Sequence, residues 1–422
     1  MSTENLHELF LSAENGVTTD TRSCGRGMIF FALKGDRFDG NRYATEAIEA
    51  GCIAAVVDDR TLHGENGMHV VEDVLLALQN LAWEYRRTLD IPVIGLTGSN
   101  GKTTTKELIT AVLAKKYRVH STAGNLNNHI GVPLTILSAP QNTEILIVEM
   151  GANHPGEIAD LCVITEPNYG LITNIGRAHL EGFGNIDGVK KAKGELFDFL
   201  KDHGGLGFVN SDHKDLTEIG KGCETIKYHN YVDFYEQDIR EFSWKVIDYI
   251  SPRLSIQLEG DYNKENISAA IALGLYFSVS EENIGEAISE YSPTNNRSQT
   301  IKTDSNTILL DAYNANPSSM TKAIESFARN GSGDKLVILG DMRELGEHSR
   351  DAHKEIIELC SALKLDGMYV GGDFKKSSNE TDKVFESVDL ILEHLVLNKV
   401  SSKSILLKGS RGMEMERLLP LL

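Results

Sequence analysis

Residues 95–107 read GLTGSNGKTTTKE, a glycine-rich turn between an apolar strand and the opening of a helix. Glycines in such a turn let backbone N–H groups face a polyphosphate, and the helix N-terminus adds its partial positive charge. Gly98, Asn100, Gly101, Lys102, Thr103 and Thr104 form the expected cradle. Lys102 would reach the β- and γ-phosphates, and the Thr103 hydroxyl would face Mg²⁺. The match to the general pattern G-x-x-x-x-G-K-[ST] departs at its first glycine, where Leu96 stands with Gly95 one residue early. A turn that binds nothing has no need of Gly98, Gly101, Lys102 and Thr103 together, so a nucleoside triphosphate is the expected ligand.

Two further segments carry residues that could act beside this loop. EILIVEM is an apolar strand ending in Glu149, and an acid at the carboxyl end of a neighbouring strand is where a phosphate-loop fold needs a magnesium ligand. YGLITNIGRAHLEGFG runs a second strand toward His179, and KKAKGELF sets Lys193 in an apolar helical context. From the residues alone, His179 reads most simply as a structural histidine and Lys193 as a surface or salt-bridged lysine.

Strand–helix alternation must position these groups. Residues 1–86 alternate strand-like GMIFFALKG and CIAAVVDD with helical RYATEAIEA and VLLALQNLAWEYRR, the last with apolar residues at helical spacing. TLDIPV reads as a linker, since Pro92 disfavours helix just before it. Residues 87–292 hold the phosphate loop and the strands VIGLT, EILIVEM, YGLITNIG and GLGFVN, ending near the Pro-, Ser- and Asn-containing YSPTNN. Residues 293–422 alternate again, through NTILLDAYN, PSSMTKAIESFAR, KLVILGDM, SRDAHKEIIELCSALK, GMYVGG, SILLKGS and a final helix over MEMERLL. Three α/β domains with largely parallel sheets are expected.

Composition narrows the function classes. The 422 residues carry 42 Lys+Arg against 61 Asp+Glu, a formal charge of −19. That balance repels nucleic acid and anionic membranes, so a polyanionic ligand must be held by a few placed cations and by backbone N–H groups. No run approaches the roughly 20 apolar residues of a membrane helix, and the N-terminus lacks the pattern of a secretory signal. Five scattered cysteines, none in Cys-x-x-Cys spacing, fit reduced thiols in a cytoplasmic protein.

The loop TGSNGKTT resembles that of the Mur ligases, the ATP-dependent amide ligases that build the peptide of bacterial cell-wall precursors. So do TTDTRSCGRGMIFFALKGDRFDG, GNLNNHIGVPLTIL, EMGANHPGEI, TNIGRAHLEGFG, AKGELF, LLDAYNANPSSM, LGDMRELG and LLKGSRGMEME, which together span nearly the whole chain. DAYNANP and GDMRELG are closest to the member that adds D-alanyl-D-alanine to a UDP-N-acetylmuramoyl-tripeptide. The resemblance implies an N-terminal UDP-binding domain, a central ATPase-type domain and a C-terminal Rossmann-like domain that closes on ATP. A monomer is expected. The alternatives are a ligase adding the third residue, a folylpolyglutamate synthase, and a regulatory phosphate-loop NTPase of another class.

The resemblance also implies roles for residues. Glu149 and His179 would serve a second magnesium ion, and Lys193 would be carbamylated by CO₂. Asn125 would stand near the reacting phosphate and acyl group, and Asn263 and Asn266 near the adenine, although both also suit the cap of the following helix. Arg297 and Asp311 would contact ATP phosphate and ribose. Thr19, Asp20, Thr21, Arg22, Lys34, Gly35, Phe38, Asp39 and Gly40 would hold the UDP end. For D-alanyl-D-alanine the candidates are Asp341, Arg343, Glu344, Lys408 and Arg411. Asn41, Tyr262 and Asn296 depart from the family, which usually has histidine, histidine and glycine there.

Overall fold

The computed structural model describes residues 3–235, 238–246, 249–293, 296–330 and 333–422. Thr294 and Asn295, within the expected YSPTNN boundary, lie outside the described residues. Among the described residues, three parallel-strand layers follow one another along the chain. The first sheet orders Val17–Thr18, Ile29–Phe31, Ala54–Val57 and Met68–Val70 in parallel. The central sheet, also parallel, runs Glu224–Tyr228, Leu206–Asn210, Tyr169–Ile172, Val93–Thr97, Ile145–Glu149 and Val119–Ser121. The third runs Gln299–Lys302, Thr307–Asp311, Lys403–Lys408, Asp334–Gly340, Asp366–Val370 and Val384–Phe385, and only its first edge strand is antiparallel.

The central strands VIGLT and ILIVE are buried at every position, as expected of strands covered by helices on both faces. They lie side by side, with Leu96 opposite Glu149, so the ends of both strands meet at one edge of the sheet. That edge is where open α/β sheets bind ligands. The helix Pro317–Arg329 starts at a capping box in which Asn316 and Ser319 satisfy each other's backbone amides, with Pro317 in its first turn.

Three features differ from the expectations. The helix Val74–Thr88, capped by Asp73 on the Leu76 amide, runs past the expected boundary at 86 and is shared between units. It packs on Thr3–Ser12 and on the central helices Gly131–Leu137 and Glu157–Thr165. Tyr85 donates to Ala139 O at 2.7 Å, Arg86 Nε to Thr165 O at 2.8 Å, and Trp83 to Glu166 at 3.0 Å. A small antiparallel sheet, Val232–Tyr235, Asp238–Val246, Tyr249–Ile250 and Leu254–Ser255, interrupts the expected alternation. Finally, MEMERLL is broken at Glu414, with φ 53°, and its remainder enters a 3₁₀ segment, Met415–Leu421, in place of an α-helix. Pro420 explains this, since proline lacks an N–H and biases the residue before it away from α geometry.

Candidate active site

The phosphate loop connects the strand Val93–Thr97 to the helix Lys102–Ala114. Gly98 and Gly101 have φ of 143° and 77°, and a Cβ on Gly98 would come 2.0 Å from Thr173 Oγ1. The segment after the neighbouring strand Tyr169–Ile172 frames the loop. Thr173 Oγ1 donates to Asn100 O at 2.7 Å, and Asn174 Oδ1 accepts from the Asn100 amide at 3.1 Å. Lys102 folds back over the loop, donating to Gly98 O at 2.8 Å and Ser99 O at 3.4 Å. Burial lowers its pKa, and the charge of Glu149 opposes that shift.

Glu149 is buried at the strand end. Its Oε1 accepts from Asn127 Nδ2 at 2.7 Å and lies 3.3 Å from Thr103 Oγ1. Its backbone amide donates to Thr122 Oγ1 at 2.9 Å. Its second oxygen, Oε2, is buried without a hydrogen-bond partner. A buried carboxylate oxygen left unpaired costs free energy in a chain folded for no other purpose. Beside the Thr103 hydroxyl, this oxygen would suit a hard, oxygen-binding cation. Among the described residues, no three His, Cys, Asp or Glu side chains converge as a ready-made metal site.

His179 has φ 52° at the start of the short helix Leu180–Phe183. Its Nδ1 lies 2.5 Å from Glu344 Oε2 of the C-terminal domain, and this contact holds the Glu344 carboxyl below its usual pKa. Lys193 is only 1% exposed; its amine donates to Ala152 O at 3.3 Å and lies 5.3 Å from the centre of the Phe183 ring. Burial, helped by the charge of Lys102, lowers its pKa to about 7. The surface or salt-bridged reading is therefore wrong for Lys193, because the helix turns it into the core behind Ala152.

The phosphate loop, Glu149, His179 and Glu344 meet at a cavity of about 470 Å³ that both the central and C-terminal domains line, whereas Lys193 lies behind Ala152 and does not line it. Asn125, His179 and Glu149 are on one wall, and Arg297, Asp311, Glu344 and Lys408 on the other. Lys408, almost fully buried, pairs with Asp311 at 2.5 Å and donates to Asn314 O at 3.1 Å. The Arg297 guanidinium lies 3.8 Å from the centre of the Tyr313 ring. Asn316 Nδ2 reaches across to Asn100 Oδ1 of the phosphate loop at 2.7 Å. Asn263 and Asn266 do not cap their helix. Asn263 Nδ2 donates to Glu259 O, while Asn266 donates to Asn263 and accepts from Thr105.

The family departures have local accounts. Asn296 has φ 56°, a conformation that glycine takes freely and asparagine tolerates best among other residues. Tyr262 shares a 2.8 Å hydrogen bond with Ser298. Asn41 links Asp39, Asp58 and the Asp58 and Asp59 amides.

Other candidates lie away from the cavity. The Asp341 carboxylate accepts from the Asp373 and Phe374 amides, Arg343 donates to Gly412 O, and Arg411 pairs with Glu416. None of these three lines the cavity. In the first domain, Arg22 pairs with Asp20 at 2.6 Å and Lys34 with Asp58 at 2.7 Å. Lys34–Gly35 forms a two-stranded ribbon with Phe38–Asp39. Thr19, Thr21 and these residues do not line the cavity either. The sequence reading missed Asn127, Tyr313 and Lys322, all of which line it. Asn127 and Tyr313 stood inside motifs already singled out, two residues from Asn125 and Asp311, whereas nothing local marks Lys322.

Three family models match the chain in succession: Mur ligase family, catalytic domain, over residues 15–96; Mur ligase middle domain over 96–274; and Mur ligase, glutamate ligase domain, over 296–411. The UDP-N-acetylmuramoyl-tripeptide–D-alanyl-D-alanine ligase of Bacillus subtilis is 40% identical, covering 96% of this chain and 92% of its own. A crystal structure of MurF from Acinetobacter baumannii superposes with a TM-score of 0.87 at 29% identity, covering 99% of this chain and 98% of that one. MurF from Thermotoga maritima in complex with ADP gives 0.83 at 26%, covering 96% of each.

Proposed function

The chain belongs to the Mur ligase family, and we propose that it joins D-alanyl-D-alanine to UDP-N-acetylmuramoyl-tripeptide at the expense of ATP. The observation that carries this reading is the single cavity in which the phosphate loop and Glu149 face Arg297 and Asp311 of another domain. A cavity assembled by two domains suits a reaction that must keep water from an activated acyl group.

The terminal carboxylate of the tripeptide attacks the γ-phosphorus of ATP, the bond to the β-phosphate oxygen breaks, and an acyl phosphate and ADP result. The amine of D-alanyl-D-alanine, having lost its ammonium proton, then attacks the acyl carbon. The tetrahedral oxyanion collapses, phosphate leaves, the nitrogen gives up its remaining extra proton and an amide remains. Catalysis is mainly positioning and charge stabilisation. Lys102 leaves its loop carbonyls for the β- and γ-phosphates, and the loop amides hold the phosphate oxygens. Arg297 moves onto phosphate and Asp311 onto the ribose, while Asn263 and Asn266 border the adenine and Asn125 the acyl phosphate.

The Thr103 hydroxyl and Glu149 would hold one Mg²⁺, and Glu149 and His179 with a carbamylated Lys193 a second. When bound, these ions supply positive charge to phosphoryl and acyl oxygens. The Lys193 pKa near 7 supports carbamylation, since its neutral amine adds to CO₂ and releases one proton. Thr19, Asp20, Thr21, Arg22, Lys34, Gly35 and Asp39 hold the UDP end, and Glu344 and Lys408 are the better-placed candidates for the dipeptide. The enzyme works as a cytoplasmic monomer.

Phosphate release from ATP and Mg²⁺ tests the reading, with tripeptides ending in diaminopimelate or lysine offered with and without D-alanyl-D-alanine. Release that needs both substrates, with a pentapeptide product by mass, is expected. Release indifferent to both would overturn the ligase and favour a regulatory NTPase.

A further inference from the structure

Lys106 lies one turn beyond Thr103 in the phosphate-loop helix, is 3% exposed, and has no part in the chemistry above. Its ammonium donates to Thr122 O at 2.6 Å, and Glu107 Oε1 lies 3.7 Å away. The other Glu107 oxygen accepts from Tyr291 OH at 2.7 Å. Burying an ammonium is costly, and a leucine or methionine would fill the same space without that penalty. What lysine adds is a directional, charge-assisted bond to one carbonyl.

That carbonyl is at a strategic place. The Thr122 amide donates to Ile147 O at 3.0 Å, and its hydroxyl accepts from the Glu149 amide at 2.9 Å. From Thr122 the chain enters loop 123–128. There Asn127 donates to Glu149 Oε1 at 2.7 Å, and its carbonyl accepts from the Gly151 amide at 2.7 Å. Glu149 is thus gripped through its backbone and its side chain by a segment that starts at Thr122. The helix holding Lys106 also carries Lys102 and Thr103.

We infer that Lys106 is a positioning residue, a strut that fixes the root of loop 123–128 to the phosphate-loop helix and so keeps Glu149 and Asn127 in register with Lys102 and Thr103. Its kinetic consequence rests on the ligase reading; its structural consequence does not.

Hydrogen exchange and kinetics test it together. In Lys106→Met, amides of 123–128 and Gly151 are expected to exchange at least ~10-fold faster, with strand Val93–Thr97 unchanged, because only the tie at Thr122 is lost. The kcat is expected to fall ~30-fold, the KM for the UDP-substrate to stay within about twofold, and Lys106→Arg to restore most of the loss. The loss in Asn127→Ala combined with Lys106→Met should fall well short of the product of the two single losses, since part of the Lys106 effect passes through Asn127. Unchanged exchange over 123–128, or losses that multiply in the double variant, would overturn the strut. If Lys106→Met does not fold, Lys106→Gln, which keeps a donor without the charge, carries the same readouts. A wild-type enzyme inert to both substrates would sink the ligase reading, and exchange alone would then decide on Lys106.

Discussion

On the central wall of the cavity, Glu149 keeps one buried oxygen without a partner and Lys102 rests on carbonyls of its own loop. On the C-terminal wall, Asp311 pairs with Lys408 at 2.5 Å and Glu344 reaches across to His179 of the central wall at 2.5 Å, so both acids already have protein partners. The first wall is preformed and holds groups in reserve for a ligand. On the proposed function the second would exchange protein partners for substrate ones, which would couple binding to the way the domains sit together. Substitutions should therefore damage chemistry on one wall and stability or affinity on the other.

The largest effect is expected at Lys102. Lys102→Ala should lower kcat/KM by about 10³-fold, with little change in thermal midpoint because its native bonds are local; steady-state kinetics beside a melting curve would show both. A comparable loss of stability would break the contrast between the walls. Lys408→Met, beside its effect on the proposed dipeptide site, should cost about 3 kcal/mol of stability by leaving Asp311 without its partner, as read by denaturant unfolding. An unchanged unfolding midpoint would mean that Asp311 is solvated and the C-terminal wall not self-paired.

Lys193 sharpens the comparison through pH. Its folded pKa of about 7 is below the ordinary 10.5, so between these values the unfolded chain binds the extra proton and stability rises with pH. Below pH 7 both states are protonated and the burial penalty is paid in full. In CO₂-free buffer, Lys193→Met should flatten the rise between pH 7 and 9 by on the order of 2 kcal/mol, measured by unfolding at each pH. An identical slope in both proteins would show that the amine is hydrated. The smallest effect is expected at Arg343 and Arg411, outside the cavity. Alanine at either should leave the KM for D-alanyl-D-alanine within about twofold, as surface substitutions usually do little; a tenfold rise would return them to the dipeptide site.

The central wall was the more legible in sequence, for a physical reason. Gly98, Gly101, Lys102 and Thr103 act through one turn of backbone, and Glu149 through the end of one apolar strand, so their placement follows from short-range pattern. The bond from Asn316 to Asn100 joins residues 216 apart, and the contact of His179 with Glu344 likewise exists only once two domains have docked. No periodicity encodes such pairs. The inward turn of Lys193 was hidden because charged residues surround it in KKAKGELF, while Ala192, Leu196 and Phe197 set which side of the helix is buried. The longest of the antiparallel strands between 232 and 255 does alternate, with Phe242, Trp244 and Val246 set between Glu241, Ser243 and Lys245, but it stands outside the strand–helix rhythm that organised the rest of the chain.

The helix Val74–Thr88 has a consequence for what the enzyme accepts. It is bolted through Tyr85, Arg86 and Trp83 to the central domain while packing on the first, so the two units share one helix. On the proposal that Arg22 and Lys34 take the uridine end, this shared helix would set the span from there to the phosphate loop. It would then work as a calliper: a peptide one residue short would leave its carboxylate out of reach of the γ-phosphate, and one residue long would overshoot it.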